Sequence, residues 1–294
     1  MQTNDRLKSS STSTTSPKSL AFFGVGVLLV GIYSGMLYTT YKKEVKESKT
    51  LNVPNDVSDR YNHIATSFDS EVDLAERVMW LGKRRRELIS MAHGDVLEVS
   101  CGTGRNMEYY QFGQRRTVDE NGHAAIRGCR SVTFIDLSAP MVEVARRKFE
   151  QLHPNQDQAI GVVEFRAEDA KNISHGPSPN LAVPKKQKPY FDTIIQTMGL
   201  CSLPDPVGTL QHLGTLTEPE NGTILLLEHG RSYYGWLNGI LDNLASAHAD
   251  KHGCWWNRDI GDIVRQSGLE VVKEKRWDFG TTWMYVLKVK KKEK

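Results

Sequence analysis

The sequence has almost no excess charge of either sign: 38 Lys and Arg face 35 Asp and Glu, a formal net charge of +3 in 294 residues. A chain so balanced lacks the concentrated basic surface that phosphate contacts draw on, and no nucleic-acid partner is expected. Cysteine is sparse. Cys101, Cys129, Cys201 and Cys254 lie far apart and form no C-x-x-C pair, which argues against a dithiol redox motif. His248, His252, Cys254 and Asp259 match no standard zinc spacing, so no metal is expected. Collagen-like repetition and disulfide-scaffold composition are absent too, and at 39% hydrophobic and 25% charged the chain reads as globular.

Long apolar runs are also missing, with one exception. Residues 20–41 read LAFFGVGVLLVGIYSGMLYTTY, with no charge between Lys18 and Lys42. As a helix rising about 1.5 Å per residue this run is about 33 Å long, enough for a hydrocarbon core of about 30 Å. Tyr33, Tyr38 and Tyr41 gather towards its C-terminal end, where amphipathic rings favour the interface. The run exceeds the length of a signal-peptide core, and no clean small-residue cleavage site follows it. A single-pass membrane helix is therefore expected over 20–41. A polar, Ser- and Thr-rich tail or targeting segment precedes it over 1–19, and a basic linker follows over 42–56. The flanking Lys and Arg residues number three before the run and four after it, which leaves the orientation open. By composition alone, mitochondrion and endoplasmic reticulum stand even.

Residues 57–290 alternate helical and strand patterns. A helix is expected over 69–91 and another over 139–152, with buried strands near 95–100, 132–135, 161–165, 191–196 and 223–227. A helix follows Asp259, and 269–277 with 283–289 read as a closing antiparallel pair. Strands alternating with helices imply a mostly parallel sheet covered on both faces. Residues 111–130 and 171–189 are polar and interrupt the pattern, which resumes after each, so both read as surface insertions.

The chemistry concentrates in Val96-Leu-Glu-Val-Ser-Cys-Gly-Thr-Gly-Arg105, where a strand gives way to a turn. Gly102 and Gly104 permit the turn and let a ligand approach the backbone. Glu98 is acidic where a dinucleotide fold has an apolar residue. It would repel a pyrophosphate and attract a cationic amino-acid head group. The run after Gly104 is Arg105-Asn106-Met107, so the G-x-G-x-x-G of a dehydrogenase is absent. Asp136 ends a second strand, in position to accept from two ribose hydroxyls. Glu168 and Asp169 follow a third strand, near where an adenine would lie. Cys101 sits in the turn with no motif-paired base and reads as structural.

Residues 96–105, 132–138, 164–170 and 191–203 together resemble the landmark segments of class I S-adenosylmethionine-dependent methyltransferases. Tyr61-Asn-His-Ile-Ala65 and Phe68-Asp69 resemble the leader of the quinone-biosynthesis (UbiE-like) branch. Leu227-Glu-His229, Asp242 and His252-Gly-Cys-Trp-Trp-Asn-Arg-Asp259 resemble the membrane-anchored methyltransferase-like group, with the Trp255–Asp259 run nearest the fungal Oms-type mitochondrial proteins. The resemblance implies an α/β, Rossmann-like fold: a mostly parallel sheet, helices on both faces, a C-terminal antiparallel pair and one N-terminal transmembrane helix. It also implies S-adenosylmethionine as cofactor. Glu98, Ser100, Gly102 and Gly104 would form its methionine side, Asp136 the ribose site, and Glu168, Asp169 and Ala170 the adenine edge. Gln196, with Thr197 and Met198, would lie beneath the sulfonium. Ser100 stands where the family often has Gly, and a small residue is kept. His229, at the end of the fifth strand of the fold, is the candidate general base. The expected activity is methyl transfer to a small, lipophilic acceptor by a protein of the mitochondrial inner membrane, the endoplasmic reticulum being the alternative. The other reading is a catalytically silent methyltransferase-like domain serving assembly or stability of mitochondrial membrane complexes.

Overall fold

Side chains of strand β1 (His93–Val99) point alternately to two faces. Leu97 and Val99 enter one apolar cluster and Val96 the other, which puts Glu98 on the face of Val96. The computed structural model describes residues 17–113, 115–118, 124–154, 162–174 and 190–290. The chain divides into two compact units, Met1–Glu47 and Ser48–Lys294.

Helix α1 (Pro17–Ser48), of 32 residues, lies in the first unit up to Glu47, and its last residue begins the second. The most apolar 18 residues within its stretch Ala21–Ser48 have a mean hydropathy of 1.8, and by length and composition the helix could cross a membrane. Phe22, Leu28, Val30 and Tyr33 on it are exposed within the unit. Residues 1–16, most of the expected tail, lie outside the described residues.

In the second unit, α2 (Arg60–Ile64), α3 (Phe68–Val78) and α4 (Leu81–Ile89) precede β1. The single helix expected over 69–91 is broken. Trp80 takes a left-handed φ of 55° between α3 and α4. The break lets α4 bury Leu81, Arg85, Leu88 and Ile89, whereas α3 buries none of its residues fully. After β1 come β2 (Arg115–Val118), β3 (Ala124–Asp136), α5 (Ala139–Leu152), β4 (Val162–Ala167) and β5 (Thr193–Thr197). Then follow α6 (Pro206–Leu216), β6 (Thr223–His229), α7 (Gly235–His252), α8 (Ile260–Ser267), β7 (Glu270–Trp277) and β8 (Thr282–Lys288).

The main sheet has the order β4-β3-β1-β5-β6-β8-β7. Neighbours are parallel from β4 to β6, and β8 runs antiparallel to both β6 and β7. The expected closing pair is thus present. The polar stretch 111–130 is no simple insertion. Its described part contains β2, which pairs antiparallel with the entry half of β3, Thr117 opposite Ala125. From Gly128 onward β3 turns to parallel pairing with β1. Residues 175–189 of the second expected insertion, and the terminal residues 291–294, lie outside the described residues.

The two faces of the sheet carry separate cores. Leu213, Ile263 and Val264 of α6 and α8 cover Leu97, Ile194 and Leu226 on one side. Leu88, Ile89, Ala145 and Phe149 of α4 and α5 cover Val96, Phe134, Ile195 and Leu225 on the other. The chain winds outward from β1 through β3 to β4, then returns to lay β5 on the opposite side of β1. The reversal is a topological switch point, and open α/β sheets bind ligands in the crevice outside the carboxyl ends of the strands at such a point.

Candidate active site

Three consecutive features bend the chain as β1 ends. Ser100, Gly102 and Gly104 have φ of 52°, 53° and 78°, a region where glycine is unstrained and other residues are rare. A Cβ on Gly102 would meet nothing within 4 Å, whereas one on Gly104 would meet the Met107 side chain at 2.5 Å. The face above Gly102 is open.

The Gly102 N–H donates to Asp136 Oδ2 at 2.9 Å, and the Ser138 N–H donates to Oδ1 at 2.9 Å. Ser138, not Asp136, caps α5, through its side chain to the Met141 N–H. Asp136 is left as a partly exposed carboxylate at a strand end, fixed by two backbone donors. Burial raises its pKa, and the two N–H groups oppose that rise.

Glu98 is 1% exposed. Tyr110 donates its hydroxyl to Oε2 at 2.5 Å, and Asn106 donates Nδ2 to Oε1 at 3.0 Å. Burial pushes the carboxyl up to about 7, against the pull of these hydrogen bonds and of Arg85. Asn106 also reaches Thr197 Oγ1 at 3.0 Å. Arg85, 4% exposed, donates to Asn106 Oδ1 at 2.9 Å, to Thr197 Oγ1 at 2.8 Å and to Glu76 Oε1 at 2.7 Å. One polar network thus joins α3, α4, β1, the glycine turn and β5.

Helix α3 is held to the same turn by charge. Asp69 accepts from Thr103 Oγ1 at 2.5 Å, from Arg105 at 3.0 Å and from Lys148 Nζ at 2.6 Å. Arg105 reaches on to Asp73 at 2.8 Å and Glu76 at 3.1 Å. Clefts of about 310 and 230 Å³ flank α3, lined by residues such as Trp80, Lys83, Tyr109 and Leu152, and neither is lined by Glu98, Asp136 or Gln196.

The remaining expected residues divide. The Glu168 N–H donates to the Asp136 carbonyl at 3.0 Å, and its carboxylate lies 3.9 Å from Arg166. Asp169 accepts from the Lys171 N–H at 2.9 Å, which shapes the turn after β4. Ala170 is buried in the apolar cluster under α6. Gln196 is buried, with Nε2 3.4 Å from Ser100 Oγ, and its Oε1 has no partner among the described residues. Met198 takes a φ of 55° and donates its N–H to the Leu227 carbonyl.

His229 ends β6, as expected, but its Nε2 faces Cys254 Sγ at 2.8 Å. Cys201, from the turn after β5, joins them. The structure gathers Cys201, His229 and Cys254, not His248, His252, Cys254 and Asp259. Burial alone would lower the His229 pKa, but the Cys201 sulfur outweighs it and raises it. His248 stacks on Trp256 at 3.9 Å between ring centres and is pushed by burial down to about 3. Asp259 caps α8 through the Asp262 N–H at 2.9 Å.

Sequence reasoning missed Asn106, Tyr110, Arg85 and Glu228. Arg85 carried a signal, since it lies four residues after Leu81 and three before Leu88 on the apolar stripe of α4. Glu228 is buried and accepts from the Gly199 and Leu200 N–H groups at 3.3 and 3.1 Å, bracing the turn after β5. Nothing in the local spacing marked Tyr110.

This strand order, with an antiparallel edge pair and acidic residues ending β1 and β3, is that of a Rossmann-like methyltransferase. The chain belongs to the methyltransferase-domain family, whose profile matches residues 71–274. It is 40% identical over 242 residues to a mitochondrial protein of Saccharomyces cerevisiae named Methyltransferase OMS1; the match takes in 81% of this chain and 48% of the yeast protein. The chain therefore spans about half the length of that curated relative. Among solved structures, an O-methyltransferase family protein from Burkholderia thailandensis superposes with a TM-score of 0.53 at 14% identity, covering 88% of this chain and 71% of that one. This likeness concerns the fold alone. The O-methyltransferase NcsB1 of neocarzinostatin biosynthesis, solved with S-adenosyl-L-homocysteine and 1,4-dihydroxy-2-naphthoic acid, gives 0.48 at 14% identity over 78% of this chain and 58% of that one.

Proposed function

We propose that this protein transfers a methyl group from S-adenosylmethionine to a small, lipophilic acceptor at a mitochondrial membrane. The observation that carries this reading is the pair of carboxylates flanking the open turn: Glu98, buried at the end of β1, and Asp136, fixed by the Gly102 and Ser138 N–H groups. The residues fit the cofactor. Glu98 offers a negative partner to an ammonium, and Asp136 offers two oxygens to a pair of hydroxyls. Gln196 Oε1 is a buried acceptor that a ligand donor would satisfy. Bound S-adenosylmethionine supplies an electrophilic methyl group on a sulfonium.

The chain's own part is to hold, align and exclude water. Gly102 and Gly104 give the turn its shape, with Ser100 packed behind it near Gln196. Glu168 and Asp169 follow β4 and would edge the adenine, while the buried Ala170 supports their turn. Helix α3, tied down through Asp69, shields the turn. His229 already has a thiol at its Nε2, so proton removal from the acceptor is not assigned to it. The apolar run within the N-terminal helix supports a membrane site and a lipophilic acceptor, and the yeast relative's mitochondrial designation supports the compartment.

A pH dependence follows from Glu98. With its carboxyl up at about 7 in the free protein, an ammonium ligand must displace a proton below that pH. Affinity for S-adenosylhomocysteine should therefore fall about tenfold per unit as pH drops below 7, and level off above it. Calorimetric titration across pH 5.5–8 checks this. The slope should vanish in Glu98→Gln, and an unchanged slope there would remove Glu98 from the site.

The function itself is tested with tritiated S-adenosylmethionine and a mitochondrial membrane extract. Label should enter the lipophilic fraction with the wild type and not with Gly102→Arg. No label with either would count against catalysis. Restoration of a deletion strain by Gly102→Arg would assign the protein an assembly role instead.

A further inference from the structure

We propose that Cys201, His229 and Cys254 form a binding site for one zinc ion on the β5–β6 side of the crevice. Three segments far apart in sequence converge here: the turn after β5, the last residue of β6, and the residue after the Gly253 cap of α7. Their two sulfurs and one ring nitrogen all lie within 4.8 Å of one another. Both cysteines are buried, at 1% and 5% exposure, and neither is in a disulfide. Two thiolates and an imidazole are a soft donor set that suits zinc, and three protein ligands with one open position are the arrangement of catalytic zinc centres.

The donors are held from behind. The Trp255 N–H donates to the Cys201 carbonyl at 3.1 Å, tying the two cysteine segments together. Glu228, the neighbour of His229, accepts from the Gly199 and Leu200 N–H groups and so ties the Cys201 turn to β6. Ser202 Oγ lies 3.5 Å from Cys201 Sγ, and the Tyr61 hydroxyl 2.8 Å from Ser202 Oγ. Charge favours the same occupant. A divalent ion bound by two thiolates is neutral, so the filled site buries no net charge. As a zinc ligand through Nε2, His229 has no lone pair there to serve as a base.

The test uses the full-length protein purified in detergent without chelator. Metal analysis should find about one zinc per chain. After the metal is stripped, cobalt(II) should produce the thiolate charge-transfer and intense visible bands of tetrahedral coordination. Cys201→Ser and Cys254→Ser should lose both the zinc and the bands, and His229→Gln should bind zinc at least tenfold more weakly. Cys129→Ser, a buried thiol outside the cluster, should keep them. A wild type that holds no zinc and gives no cobalt bands would overturn the site. So would a Cys201–Cys254 disulfide, or bands that persist in both serine variants. These readouts need no methyl donor, so the zinc site and the methyltransferase reading stand or fall separately.

Discussion

Asp136→Ala should weaken S-adenosylhomocysteine binding by about two orders of magnitude while leaving the fold intact. The side chain takes N–H bonds from Gly102 and Ser138, yet α5 keeps its Ser138 cap without it. Its loss therefore falls on the ligand. Two charge-assisted hydrogen bonds to a ribose diol, each contributing about 1.5–3 kcal/mol, correspond to a loss of roughly 100-fold or more. Asp136→Asn, which keeps one acceptor oxygen and the shape, should fall between. Calorimetry gives the affinities and thermal unfolding the control. Unchanged affinity in Asp136→Ala would remove the ribose site from β3.

Arg85→Met should be the most destabilising single change in the buried network. It deprives Asn106 Oδ1 and Thr197 Oγ1 of a donor and Glu76 of one of its two guanidinium partners. Breaking a buried ionic network from one side costs about 3–5 kcal/mol, and the surviving Arg105–Glu76 contact places the loss near the lower end. For a unit of this size about 3 kcal/mol lowers the melting temperature by roughly 6–12 °C. Arg85→Lys keeps the charge but not the planar fork, and should recover only part of the loss. A melting temperature within about 2 °C of the wild type would show that the network contributes little. Because Asn106 also holds Glu98, the same variant should bind cofactor less tightly even at temperatures where it remains folded.

The fold was legible wherever local pattern and tertiary role agree. The apolar runs of β1, β3, β5 and β6 are strands buried on both faces, and such strands have no other reading once flanked by turns. The glycine turn and Asp136 were legible because backbone geometry and strand ends leave a sequence trace. Breaks that depend on tertiary packing were not. The kink at Trp80 comes from α4 turning to bury Leu88 and Ile89, while the charged periodicity across it is continuous. Helices α6 and α7 went unread because Gly, Thr and His populate them, with their stability supplied by packing. The hairpin of β2 and β3 hid in a polar stretch, since its pairing lies beyond the edge of the buried sheet. In the site, Glu98 was legible as an acid but not as one whose neighbours are Tyr110 and Asn106. Cys201, His229 and Cys254 were invisible as a group because only the sheet brings β5, β6 and the end of α7 together.

The most direct measurement of the central claim is a calorimetric titration of the full-length protein with S-adenosylmethionine at pH 7.5, beside Gly102→Arg. The open face above Gly102 is where the cofactor would lie against the backbone, and an arginine side chain would fill it. The account predicts saturable binding at about one site per chain in the wild type and none in the variant. No binding by the wild type, or equal binding by both, would contradict it.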